Sequence, residues 1–168
     1  CEELPKIESE TIDLSVYSPP FVDLYTYSDS VRDLGNCNNQ EIFYKQYSYI
    51  VRELLRVTKE GRLSCVHCMD IPALMQKDGY IGAKDFPGDI IRLHQENGWI
   101  FHGRCFIQKN PQAQAIRTHS KALLFVQLRR DSSDSRPALI DQILLFKKPG
   151  KSNIKINPVE NGELDNET

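Results

Sequence analysis

Short apolar runs that alternate with longer segments of helical periodicity constrain the fold of this chain more than any other feature. The runs predict strands at residues 11–17, 63–69, 99–108, 121–130 and 142–148. Between them, helices are predicted at residues 40–59, with Asn39 as N-cap and Gly61 as C-terminal stop, and at residues 87–97. Because strands separated by helices form parallel sheets, we expect an α/β fold with a mainly parallel sheet and antiparallel edge strands.

The rest of the chain lacks clear periodicity. Residues 22–40 are predicted to form a long loop, and residues 70–86 an irregular segment. With 168 residues, the chain fits one domain, which we expect to span residues 11–150, followed by a frayed acidic tail at 151–168. No apolar run approaches the ~20 residues that cross a bilayer, and the N-terminal residues do not form a signal peptide, so a cytoplasmic protein without membrane contact is expected.

Three of the five cysteines are predicted to be structural. Cys65, Cys68 and Cys105 lie in apolar runs, which favours buried reduced thiols over disulfides. Residues three apart on a strand point to opposite faces, so Cys65 and Cys68 do not indicate a metal site, and no metal is predicted. His94 is expected on the surface of its helix, and Trp99 in the core.

Charge is unevenly distributed along the chain. Residues 1–103 carry 10 Lys or Arg and 16 Asp or Glu, whereas residues 104–155 carry 11 and 3. A basic segment of this kind is typical of a surface that contacts nucleic-acid phosphates, and Arg117, Lys121, Arg129 and Arg130 are the candidate contacts. A solvated basic face without a polyanionic partner is the alternative.

Ser18-Pro19-Pro20-Phe21 is the motif that indicates chemistry. Proline has no backbone N–H and forces the preceding residue into an extended conformation, so the segment is stiff and offers carbonyl and hydroxyl oxygens but few donors. It follows a predicted strand, at the sheet edge where α/β proteins bind ligands. Acceptors beside the ring of Phe21 suit a flat heterocycle with an amino group, which can itself attack an electrophile.

The motif resembles the Asp/Asn/Ser-Pro-Pro-Tyr/Phe motif of DNA amino-methyltransferases, which modify adenine at N6 or cytosine at N4. Further stretches that match the family in order are Lys59-Glu60-Gly61-Arg62, Asn97-Gly98-Trp99-Ile100, Gln108-Lys109-Asn110-Pro111 and residues 119–126 and 144–148. The similarity covers about residues 11–150. It implies a Rossmann-like S-adenosylmethionine-dependent methyltransferase fold, with residues 151–168 as a tail or the start of a target-recognition segment.

The resemblance also implies an activity and partners. The chain is expected to take part in site-specific methylation of a base flipped out of double-stranded DNA, with Ser18, Pro19, Pro20 and Phe21 as catalytic residues. Serine at the first position is commoner in the cytosine-N4 branch, so N4 is favoured over adenine N6. A restriction endonuclease is a candidate partner.

The donor-binding part of the family pattern is missing. The family approaches S-adenosylmethionine with a Phe-x-Gly-x-Gly turn after a strand, whereas Gly79/Gly82 and Gly98/Gly103 lack that spacing and context. In one subgroup the catalytic motif precedes the donor-binding motif, and this chain is similar to a truncation of that arrangement. The fold is therefore expected to be incomplete, and the isolated chain to bind S-adenosylmethionine weakly and to be inactive.

Two other functions remain open. An enzyme that methylates a protein glutamine amide or RNA uses a similar Pro-Pro-aromatic turn. A non-catalytic nucleic-acid-binding module, such as a prophage remnant of the same fold, is the alternative from another class.

Overall fold

The computed structural model describes residues 3–21, 28, 33–37, 39–110, 113, 116, 140–152 and 154. Within these residues the strands are β1 (Ile12–Tyr17), β2 (Thr58–Met69), β3 (Ile71–Ala73), β4 (Gly82–Lys84), β5 (Ile100–Ile107) and β6 (Asp141–Lys147). The α-helices are α1 (Gln40–Val57), α2 (Met75–Asp78) and α3 (Phe86–Glu96), and short 3₁₀ turns occupy Leu4–Lys6 and Leu34–Asn36. The strand predicted at residues 121–130 lies outside the described residues.

Four strands form the main sheet, in the order β1-β2-β6-β5. β1 and β2 are parallel, and β6 is antiparallel to both β2 and β5, so β1, β2 and β5 run in the same direction. The predicted α/β fold with a mixed sheet is confirmed. The antiparallel strand nevertheless lies inside the described sheet rather than at its edge, because β6 pairs with both β2 and β5. Its Leu144 and Phe146 are fully buried in the core.

Helices α1 and α3 pack together on one face of this sheet. Their rings touch directly, with the centroids of Phe43 and Phe86 6.0 Å apart. The core between helices and sheet comprises Phe43, Tyr47, Val51, Val66, Cys68, Ile71, Phe86, Ile90, Trp99, Leu144 and Phe146. Trp99 is 3% exposed, as predicted, and its Nε1 donates to the carbonyl of Val51 at 3.2 Å.

The other face of the sheet is open along both outer strands in the described part of the chain. Leu14 and Val16 of β1 are 56% and 67% exposed. Cys105 of β5 is also exposed, which corrects the expected burial of this thiol, because β5 turns that side chain away from the helices. Cys68 is buried and Cys65 only partly so, which confirms that they point to opposite faces.

The beginning of α1 agrees with the sequence, but its end does not. The Asn39 side chain accepts hydrogen bonds from two backbone amides of the first turn, as expected of an N-cap. The helix ends at Val57 and β2 begins at once, so Gly61 is not the helix stop. Gly61 lies within β2 at φ +70°, where a Cβ atom would be 2.8 Å from the backbone nitrogen of Ser152. Glycine is needed there because the chain beyond β6 approaches closely.

The segment predicted as irregular, residues 70–86, forms a small unit instead. β3 and β4 pair in antiparallel register around α2. Asp78 holds the unit together, because its carboxylate accepts from the Leu74 backbone nitrogen at 2.8 Å and pairs with Lys84 at 2.5 Å. Asp85 then caps α3, whose start next to Pro87 was predicted. Among the described helices, none combines the length and apolar character that crossing a lipid bilayer requires.

Candidate active site

The Ser18-Pro19-Pro20-Phe21 motif directly follows β1, at the carboxyl ends of the parallel strands. β1 ends at Tyr17, and the neighbouring parallel strands β2 and β5 end at Met69 and Ile107. Their carboxyl ends share one edge of the sheet, which is where open α/β sheets bind ligands. The motif therefore lies at this edge of the described sheet.

The motif residues differ in exposure. Ser18 is exposed, and its hydroxyl makes only a long contact of 3.5 Å with the carbonyl of Pro19. Pro19 is buried and Pro20 half-buried. The ring of Phe21 is half-buried and packs at 5.8 Å and 58° against Phe86, the first residue of α3. The structure thus holds the aromatic end of the motif against the core and leaves the serine end open.

A buried hydrogen-bond network lies under the motif. The hydroxyl of Tyr17 is 2.8 Å from the hydroxyl of Tyr47 and 3.3 Å from Nε2 of His94. Because Nδ1 of His94 is 2.8 Å from the Ile90 carbonyl, which only accepts, Nδ1 carries the proton and Nε2 accepts from Tyr17. Tyr47 then donates to Tyr17. The residue before Ser18 is therefore fixed to both helices.

His94 is the clearest correction at single-residue level. It was expected on the surface, but it is 1% exposed and its ring stacks on Phe146 at 4.0 Å. Burial lowers its pKa to about 4 and raises the pKa of Tyr17 and Tyr47, so the network is neutral. The spacing of Phe86, Ile90 and His94, four residues each, places them on one helix face and was the signal available in the sequence.

A second polar cluster lies at the same sheet edge and was missed by the sequence analysis. Nε2 of His67 is 2.6 Å from Oδ2 of Asp141, and Nζ of Lys109 is 2.5 Å from the same oxygen. The Asp141 side chain is 3% exposed, whereas those of His67 and Lys109 are 36% and 28% exposed. The residues come from β2, the start of β6 and the segment after β5, so no local pattern could have indicated the cluster.

The predicted phosphate contacts Arg117, Lys121, Arg129 and Arg130 lie outside the described residues. Near the same edge, the guanidinium of Arg104 donates to Gln142 at 3.1 Å and lies 5.3 Å from the centroid of the Phe101 ring. Within the part of the chain that the structure describes, no group of three His, Cys, Asp or Glu side chains is arranged to hold a metal ion.

The described glycines do not form a donor-binding turn. Gly98 precedes β5, at the sheet edge opposite the Ser18 motif, and Gly103 lies in the middle of that strand. Gly79 and Gly82 belong to the unit of β3, α2 and β4. A turn that lets S-adenosylmethionine approach the backbone must follow a strand at its carboxyl end. The residues that the structure describes do not by themselves fit that group.

The fold is similar to those of solved DNA methylases. No known protein-family profile and no curated protein sequence matches the chain significantly. The structure of TTHA0409, a putative DNA modification methylase from Thermus thermophilus, matches 92% of this chain and 53% of that chain, with a TM-score of 0.64 and 18% identity. Its complex with S-adenosyl-L-methionine gives the same values.

A second structure, the cytosine-N4-specific PvuII DNA methyltransferase, matches 87% of this chain and 46% of that chain, with a TM-score of 0.56 and 18% identity. The chain thus spans about half the length of the solved structures it matches. At this level of identity the match concerns the fold and not the chemistry. The chain has the fold of DNA methyltransferases over about half of their length.

Proposed function

We propose that this chain is the part of a site-specific DNA methyltransferase that holds the base whose exocyclic amino nitrogen receives a methyl group. Cytosine N4 is favoured over adenine N6, and double-stranded DNA is the partner, with a restriction endonuclease as a further candidate. The observation that carries the proposal is the position of Ser18-Pro19-Pro20-Phe21 at the carboxyl end of β1, in a fold shared with DNA methylases.

The motif supplies acceptors and an apolar wall. The Ser18 hydroxyl is exposed and only weakly engaged, and prolines add carbonyl oxygens without competing N–H donors. Such acceptors bind an N–H proton of an amino group and help to orient its lone pair. Phe21, held by Phe86, offers an aromatic surface to a base that has left its duplex.

The donor, S-adenosylmethionine, supplies an electrophilic methyl carbon, and we expect a further half of the protein to hold it. Sheets of α/β proteins that contain parallel strands are normally covered by helices on both faces. Here one face is open, with Leu14 and Val16 exposed, and β1 forms the edge of the described sheet. These are the features expected where a donor-binding half packs against this one.

Methylation is tested with the protein purified as its host makes it, so that any donor-binding half is present. Incubation with S-adenosylmethionine and duplex DNA, followed by nucleoside analysis, should yield N4-methylcytosine, or N6-methyladenine if the base preference is wrong. Phe21→Ala should lower kcat about 100-fold or more, because the base loses its positioning surface. Tyr49→Ala, which removes an exposed ring on α1, is the matched control and should change little.

A protein that binds DNA but yields neither methylated nucleoside would favour the non-catalytic alternative. The division into two halves has its own test. Calorimetry of the isolated 168-residue chain with S-adenosylmethionine should give weak or no binding, because the described residues contain no donor-binding turn. Tight binding would contradict that division.

A further inference from the structure

His67 lies next to Ser18 on the open face of the sheet. β1 and β2 pair in parallel register with Tyr17 opposite Val66, and the next residues along the two chains are Ser18 and His67. Adjacent strands are about 4.8 Å apart. Tyr17 and Val66 face the helices, so strand alternation turns the His67 side chain to the other face. Ser18 follows the last residue of β1, and because it precedes a proline its extended backbone continues the same alternation. The partly exposed His67 ring is thus a neighbour of the exposed serine.

The hydrogen bonds of His67 decide which of its nitrogens is available. A carboxylate only accepts, so the 2.6 Å contact with Asp141 places the imidazole proton on Nε2. In the neutral ring Nδ1 then carries a lone pair, and no side chain or backbone group in the described residues donates to it. The ring therefore presents a fixed acceptor beside Ser18.

The Asp141 carboxylate is held more firmly than a carboxylate in a surface ion pair. Its side chain is 3% exposed at the first residue of β6, and Lys109 pairs with the same oxygen that His67 contacts. The other oxygen, Oδ1, is buried and has no partner among the described residues. Burying a charged group with an unsatisfied oxygen costs stability. Such a cost is typical of polar groups that are held in place for a ligand.

We propose that His67 is a base-recognition residue whose Nδ1 accepts a hydrogen bond from the exocyclic amino group of the base, with Asp141 and Lys109 as positioning residues. This inference rests on the proposed function and identifies the exocyclic amino group as the part of the base that His67 recognises. The amino group of cytosine or adenine can donate a hydrogen bond to Nδ1. A base with a carbonyl at that position cannot, because the lone pair of the carbonyl oxygen would face the lone pair of Nδ1 and repel it. His67 therefore selects cytosine or adenine against uracil or thymine.

The test uses the full chain and two single-stranded hexanucleotides, thymine throughout except for a central cytosine or a central uracil. The affinity ratio between them is measured by fluorescence anisotropy, and the ring nitrogens of His67 are followed by ¹⁵N NMR. The unaltered chain should bind the cytosine hexamer about five- to tenfold more tightly, the size of one net hydrogen bond. Its His67 Nδ1 signal should move with cytosine only.

His67→Ala should bring the ratio close to one, and Asp141→Asn should shift His67 from one tautomer to a mixture and reduce the ratio. His102→Ala, which removes an exposed histidine near the start of β5, should leave the ratio unchanged. An unchanged ratio in a folded His67→Ala chain, or no response of His67 to either hexamer, overturns the inference. If methylated nucleosides are found while His67→Ala keeps the ratio, only this inference fails; if none are found, the proposed function fails.

Discussion

His94 and His67 each have one ring nitrogen fixed by a protein acceptor, but their surroundings give them different chemistry. His94 is enclosed between Tyr17, Tyr47 and Phe146 and uses both nitrogens within the protein. Within the part of the chain that the structure describes, His67 uses only Nε2, and about a third of its side chain is exposed. The first is therefore structural, and its effect on stability can be predicted from its pKa.

Acidification should destabilise the fold through His94. Its pKa is 6.5 in an unfolded chain and about 4 in the fold, so the unfolded state takes up a proton first as the pH falls. The contribution is fully present above pH 6.5 and is lost as the pH falls towards 4, and it amounts to about 3 kcal/mol. Urea denaturation at pH 7 and pH 4 measures it.

His94→Phe should be less stable at pH 7, because Tyr17 loses its acceptor, but should show less loss on acidification. His102→Gln should keep the full pH dependence, since that ring is exposed. Equal pH dependence in His94→Phe and the unaltered chain would show that other groups cause the acid transition.

Among the elements, β2 depends on Gly61, a glycine that does not end a helix. Gly61 and Gly79 have similar positive φ angles, +70° and +76°, but a Cβ atom would be 2.8 Å from Ser152 at Gly61 and would meet nothing within 4 Å at Gly79. Gly79→Ala should cost about 1 kcal/mol of backbone strain. Gly61→Ala should cost clearly more, about 2–3 kcal/mol, in chemical denaturation. Equal costs would mean that the chain around Ser152 moves aside freely.

The N-terminal segment is attached to α1 by Arg56. Its guanidinium donates to the carbonyls of Leu4 and Ile7 and to the Ser9 hydroxyl, at 2.9–3.0 Å, and pairs with Glu53. Arg56→Met keeps much of the side-chain length but removes every donor, so it should lower the free energy of unfolding by about 1–2 kcal/mol. It should also speed hydrogen exchange before β1. Arg52→Met, which loses a hydrogen bond to Ser48 and a cation–π contact with the exposed ring of Tyr49, should have a smaller effect.

Elements fixed by local contacts were predictable from the sequence, and those fixed by distant contacts were not. Asn39 marked the start of α1 through side-chain hydrogen bonds within one turn, and Pro87 marked the start of α3 through its fixed φ angle. The early start of β2 depends on pairing with β1 and β6, which short windows do not contain. The candidate site follows the same rule: the Ser18 motif is contiguous and was found, whereas His67 and Asp141 are 74 residues apart and were not.

At the scale of the whole molecule, the two faces of the sheet are unequal. The face towards α1 and α3 contains residues of zero exposure, such as Val66, while Val16 on the neighbouring strand is 67% exposed. In an α/β sheet that contains parallel strands, apolar side chains exposed along one face are unusual. This asymmetry supports the proposal that a donor-binding half covers the open face. The proposal can be tested by measuring the free energy of unfolding of variants on the two faces.

Val16 and Val66 provide a matched pair for that measurement. Val66→Thr places a hydroxyl in the core and should cost about 1–3 kcal/mol in the isolated chain. Val16→Thr should change its stability by less than about 0.5 kcal/mol, because water already reaches the side chain. In the protein as its host makes it, a donor-binding half packed on this face would bury Val16, and Val16→Thr should then become destabilising as well. If Val16→Thr stays neutral there, the open face is not the surface where the two halves meet.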